Sequence, residues 1–174
     1  MSRGGGPLTG IIRPEPVPVW ITTSEFEDAE RAGEERYEQN VRRKRKDRRG
    51  NDSVRSHVSG IAGELAGCRL LGHQRGSPEW ERCLENRDDA STYNTYDIAP
   101  NWQVRTKRQM KAVEVKDTDD LSWIVLAISY FSLAPLAGFH RFYSWGSIPV
   151  SEVKGRFKLK DNSWWVPIRM LKHP

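Results

Sequence analysis

Apolar residues follow two rhythms along this chain, helical in its first half and strand-like in its second. Phe26, Ala29, Gly33, Tyr37 and Val41 recur at three- and four-residue steps, which predicts a helix with a thin apolar stripe. Ser24 and Glu27 have capping-box spacing and open it; glutamates crowd its first turns and arginines its last, as the helix dipole favours. Gly50-Asn51-Asp52-Ser53 breaks the pattern. A second helix is predicted from about Ser53 to Leu71, with Asp52 or Ser53 as cap and Gly72 as stop. Its stripe is Val54, Val58, Ile61, Ala62 and Leu65. Gly60, Gly63 and Gly67 each destabilise such a helix by about 1 kcal/mol, which close approach to a sheet would explain.

From Tyr93 the period shortens to two. Tyr93–Lys107 reads as two short strands folded back about the turn-favouring pair Pro100-Asn101. Tyr96 and Ile98 point one way and Asp97 the other; Trp102, Val104 and Thr106 oppose Gln103, Arg105 and Lys107. A turn centred on Pro100 sets Asp97 opposite Gln103. An acid, an amide and a guanidinium then share a polar face, while Trp102 and Val104 anchor the other in a core. Ala112–Lys116 is a further strand, closed by the turn Asp117–Asp120, and Trp123–Tyr130 is a continuous apolar run suited to a central strand. From Leu121 to Phe139 no residue is charged, close to the length of a membrane span, but Pro135, Gly138 and several serines dilute it. Strand–turn–strand is the reading, with no membrane partner. Residues 73–92 read as a loop with one short helical turn, and the tail ending at Trp164–Leu171 as a last strand and a docking segment.

Three consecutive glycines and Pro7, Pro14, Pro16 and Pro18 mark residues 1–22 as an extended or disordered leader, leaving 23–174 as one α/β domain. The N-terminus lacks the basic-then-apolar order of a signal peptide. Two cysteines, Cys68 and Cys83, make neither a disulfide framework nor a zinc spacing, so a reduced, intracellular setting is expected. Charge changes the picture more. The net charge is +5, and residues 41–55 alone hold eight Lys and Arg against two Asp. Arg42, Arg43, Lys44, Arg45, Lys46, Arg48 and Arg49 thus form one basic patch suited to a polyanion, because each neutralised phosphate releases counterions.

One carboxylate on the second helix does not point straight at water. Glu64 lies about 60° around the helix from Ile61, so it borders the buried face, with His57 on nearly the same line. The order is then a helix with Gly-Glu-Leu-Ala, a strand ending in Tyr-Asp, a strand Gln-Val-Arg-Thr, further strands, Val-Pro and a closing leucine. This resembles the PD-(D/E)XK nuclease superfamily, and within it small phage-type members.

The resemblance spans residues 24–171 in layout and about a dozen residues in specific motifs. It implies a restriction-endonuclease-like core, a central mixed β-sheet flanked by helices. It also implies a Mg²⁺- or Mn²⁺-dependent deoxyribonuclease acting on DNA in a phage-infected cytoplasm. The helix glutamate falls on Glu64, the strand aspartate on Asp97, the acid of acid-x-lysine on Gln103 and its lysine on Arg105. Gln103 can ligate a hard cation only through a neutral oxygen, and Arg105 can hold a phosphate but not serve as a base. A catalytically impaired DNA- or protein-binding module is the alternative. Glu114 and Lys116 form a literal acid-x-lysine nearby, but setting Glu114 opposite Asp97 would turn the strand at Arg105 into a loop. Holliday-junction resolvases share the superfamily and usually act as dimers; nothing in the sequence marks a dimer surface.

Overall fold

The computed structural model describes residues 15–42, 53–85, 96–154, 156–157 and 160–173. Its elements are β1 (Val17–Thr22), α1 (Thr23–Arg42), α2 (Val54–Leu70), α3 (Pro78–Leu84), β2 (Trp102–Lys107), β3 (Ala112–Lys116), β4 (Ile124–Ser129), β5 (Phe139–Pro149), α4 (Val150–Lys154) and β6 (Ser163–Pro167). A 3-10 turn, Ile168–Met170, follows β6. Four strands form a mixed sheet in the order β1-β5-β4-β2, and β3 with β6 forms a second, two-stranded sheet. Only β2 and β4 run parallel within the larger sheet.

Two cores result. On one face of the larger sheet, Val104, Leu126, Ile128, Phe142, Val19 and Ile21 pack against Phe26 and Ala29 of α1 and Ile61, Ala62 and Leu65 of α2. On the other face, Val125, Ala127 and Ile148 meet Val113, Val115, Trp164 and Val166 of the small sheet. The chain is therefore mixed α/β, with a mixed sheet flanked by helices. The run Trp123–Tyr130 is its central strand: Val125, Leu126, Ala127 and Ile128 are fully buried between the two cores. No described helix is long and apolar enough to cross a membrane.

The sequence signals for α2 act as expected. The Ser53 side chain accepts from the Ser56 N–H, and Gly72 takes a positive φ of 88° just past the end, where the His73 N–H bonds back to Cys68 O. The start of α1 differs by two residues from the predicted box. Thr22 and Glu25 form it: the Thr22 N–H donates to Glu25 Oε2 at 2.7 Å and the Glu25 N–H to Thr22 Oγ1 at 3.3 Å. Glu25 is buried there and ion-paired with Arg69, which fixes the register of the box.

The leader ends sooner than predicted. Val17–Thr22 is an edge strand antiparallel to β5, with Val19 and Ile21 facing the core. Pro18 is tolerated because an edge strand leaves alternate N–H groups outside the ladder. Residues 1–14 lie outside the described residues.

The helix glycines are unequal. A Cβ on Gly63 would come within 1.9 Å of Thr106 Oγ1, and one on Gly67 within 3.1 Å of Ile98 and Val104, whereas Gly60 faces open space. Gly63→Ala should therefore lower the unfolding free energy by about 1–3 kcal/mol through overpacking. Gly60→Ala should raise it by about 0.5–1 kcal/mol, since only helix propensity changes there. Urea denaturation of the two variants checks the contrast; equal effects would mean α2 does not rest on β2 at Gly63.

Candidate functional site

The turn about Pro100 has the predicted register. Ile98 bridges Trp102 with hydrogen bonds in both directions, at 3.0 and 2.8 Å, around a cis Ala99–Pro100 bond. The arm before the turn contributes this single bridge where a strand was predicted, and residues 93–95 lie outside the described residues. Because β2 is an edge strand, the N–H groups of Trp102 and Val104 have no neighbouring strand on that side. Ile98 satisfies the first and the Asp97 side chain the second: Asp97 Oδ2 accepts the Val104 N–H at 2.7 Å.

The same Asp97 oxygen accepts Gln103 Nε2 at 2.5 Å, so the acid and the amide meet as parity predicted. Asp97 is 5% exposed. With its nitrogen on Asp97, the Gln103 amide presents a buried Oε1 that has no hydrogen-bond partner among the described residues.

Glu64 is carried by the turn of α2 that packs on β2. Gly63 rests on Thr106, and Gly67 rests on Ile98 and Val104, so the turn of α2 that carries Glu64 lies over the residues next to Asp97 and Gln103. The side chain is largely buried, and Arg36 Nη1 of α1 lies 3.9 Å from its Oε1. Arg36 Nη2 also donates to the carbonyls of Cys83 (2.7 Å) and Glu85 (3.0 Å) beyond α3. The structure thus brings Asp97 and Gln103 together at the strand edge, while Glu64 lies on the helix side of the sheet beside Arg36.

Arg105 is engaged elsewhere. Its Nη2 donates to both oxygens of Asp119, at 2.7 and 2.8 Å, and its Nε to the Glu114 carbonyl at 3.3 Å. Glu114 is buried on β3, where its Oε1 accepts from Ser163 Oγ at 2.8 Å. Lys116, its companion in the literal motif, is exposed. Asp97 faces Gln103, and Glu114 is held within the small sheet by Ser163.

Sequence reasoning missed Arg36 and Asp119. Arg36 lies one position from the apolar stripe, and its basic charge gave no sign of inward reach. Asp119 sits in an acidic turn that reads as solvated, yet it is 5% exposed and accepts the Lys116 N–H as well. Its neighbour Asp120 shows the surface alternative: hydrogen bonds from the Ser122 hydroxyl and N–H hold its carboxyl below the ordinary carboxylate range. His57 packs against α1, 3.3 Å from Asn40 Nδ2. Of the basic run, Arg42 closes α1 in an exposed pair with Glu38, and Arg43, Lys44, Arg45, Lys46, Arg48 and Arg49 lie outside the described residues.

Among the described residues, no three or more His, Cys, Asp or Glu side chains cluster to hold a metal ion. Asp97 and Gln103 are in direct contact, while the ion-pair partner of Glu64 is Arg36. Family models, curated proteins and solved structures were compared with the chain, and none matches.

Removing one member of a buried ion pair leaves its partner charged and desolvated. Asp119→Ala should therefore destabilise the fold by about 3 kcal/mol, measured by denaturant unfolding. A change below about 0.5 kcal/mol, the scale of an ordinary surface substitution, would show that solvent already screens this pair.

Proposed function

We propose that the chain is a metal-dependent DNA nuclease of the PD-(D/E)XK kind, similar to its small phage-type members, with Glu64, Asp97 and Gln103 around one Mg²⁺ or Mn²⁺ ion. What carries the reading is the Asp97–Gln103 contact, which leaves a buried amide oxygen unpartnered among the described residues beside a carboxylate. Such an oxygen is a hard donor of the type these cations take, and Mg²⁺ in particular keeps several of its waters and needs few protein ligands.

The chain's own residues divide the work. The Val104 N–H and the Gln103 amide hold the Asp97 carboxylate at the strand edge. Glu64 adds a second charge from the helix, with Arg36 beside it. Arg105 supports the face that bears Gln103; a phosphate would have to compete with Asp119 for its guanidinium. The basic run from Arg42 to Arg49 would supply affinity for the backbone without reading sequence. A bound divalent ion supplies Lewis acidity, which activates a water and polarises a phosphoryl oxygen.

A second reading is a nuclease-like fold with a spent site that binds DNA or a protein, and the Arg105–Asp119 pair is the observation in its favour. Nicking of supercoiled plasmid with Mn²⁺ tests the first. Glu64→Gln and Asp97→Asn should each lower the rate by roughly two orders of magnitude or more, since even outer-shell partners of metal ligands cost 10–100-fold when removed. Wild-type rates in either variant would remove the residue from the site. No nicking by the wild-type chain, with no Mn²⁺ uptake by calorimetry, would favour the binding module.

A further inference from the structure

The face of the larger sheet that lacks α1 and α2 is only partly covered by the small sheet. Register aligns Pro18, Tyr143, Ser129 and Lys107 in one row across all four strands. Ser129 is buried under Trp145, whose Nε1 donates to its hydroxyl at 2.8 Å, so the open part of the face lies over β1 and β5. Trp20 lies opposite Arg141 in the next row of the same face. Trp20, Phe139 and Phe131 are 39%, 44% and 53% exposed. Large rings left open to water side by side form an apolar patch of the kind that marks an interaction site.

Cations interleave with these rings. The Arg141 guanidinium lies 5.4 Å from the centroid of Trp20 and 5.3 Å from that of Tyr143. Phe131 stands edge-on to Tyr143 at 5.2 Å, and Phe139 edge-on to Trp20 at 6.5 Å. At the far end of the row, Lys107 Nζ lies 4.1 Å from the centroid of Trp165, itself 38% exposed. The exposed Arg108 donates to the Phe131 carbonyl at 3.5 Å. β1, β2, β4 and β5 contain no Asp or Glu, and neither does any residue from Leu121 to Ser151. Beside Trp20 and Phe139, Leu136 and Ala137 close an open cleft of ≈ 430 Å³.

We propose that this aromatic and cationic sheet face, built on Trp20, Arg141, Tyr143, Phe131 and Lys107, binds single-stranded nucleic acid. Bases stack on exposed rings whatever their sequence, and guanidinium and ammonium groups between the rings meet the phosphates. The exposed rings and Arg141 cluster over β1, β5 and the loop after β4, a patch on the scale of a few nucleotides, with Lys107 at the far edge. A duplex hides its base faces and would gain only the cations. A lipid surface would favour rings without charges set between them, and an acidic protein would need the cations but not this row of rings. The proposal stands on the sheet face alone and does not depend on the Glu64–Asp97 edge cutting anything.

Fluorescence anisotropy tests it, using the full chain in EDTA and a labelled oligothymidylate of about 12 nucleotides. The single strand should bind about tenfold or more tightly than a blunt duplex of the same length at equal salt, with quenching of tryptophan emission. Trp20→Ala and Tyr143→Ala should each weaken single-strand binding about fivefold or more, with Trp20→Phe close to wild type. Arg141→Glu, an exposed reversal that spares the core, should weaken it further. Glu64→Gln and Asp97→Asn should bind like the wild type, so loss of cutting and loss of this face are told apart. Equal affinity for strand and duplex would overturn the proposal, as would face variants with unchanged melting that bind like wild type. So would capture by phosphatidylglycerol vesicles, or a dimer abolished by Trp20→Ala, in a chain that ignores the oligonucleotide.

Discussion

The close seat of α2 on β2 is the constraint on which the remaining geometry depends. Two helix positions without side chains, Gly63 and Gly67, let the helix backbone reach Thr106, Val104 and Ile98 directly. Any larger residue at Gly63 would lift that turn, and Glu64 with it, away from the edge where Asp97 lies. The same seat closes the core between helices and sheet, because Ile61, Ala62 and Leu65 enter it only if the helix lies this low. Helix propensity is sacrificed for contact, and tertiary packing more than offsets a loss of about 1 kcal/mol per glycine.

An edge strand leaves backbone donors to be satisfied, and here that need organises the candidate site. Asp97 folds back across the turn and takes the Val104 N–H that no strand takes. Its carboxylate is thereby held in one orientation, and the Gln103 amide is drawn to the same oxygen. Structural satisfaction and candidate chemistry share one side chain. A substitution there disturbs both, which is why isosteric changes such as Asp97→Asn are the informative ones.

On the other side of β2, Arg105 joins the two sheets. Arg105 reaches Asp119 and the Glu114 carbonyl, while Lys154 Nζ donates to the carbonyls of Asp117 and Asp119, at 2.8 and 2.7 Å. These bonds tie the acidic turn to β2 on one side and α4 on the other. The uncharged stretch from Leu121 to Phe139, close to membrane-span length in sequence, thus divides between a buried central strand and an exposed loop that carries Phe131 and Leu136.

Local pattern decided what depends on neighbours along the chain. The apolar run of β4, the Ser53 and Gly72 ends of α2, and the turn that pairs Ile98 with Trp102 follow from periodicity and turn chemistry alone. So does the meeting of Asp97 with Gln103, because two-residue alternation across a tight turn leaves little choice. Pairing between distant segments was not legible. Prolines hid β1, since nothing local says that Val17–Thr22 has β5 to lean on. The partners of Arg105 and Glu64 were equally hidden, because Asp119 and Arg36 lie 14 and 28 residues away and only packing of sheets and helices brings them in. Ionic contacts carry no periodicity, so a charged residue in a turn or on a helix flank reads as solvated until the tertiary structure buries it.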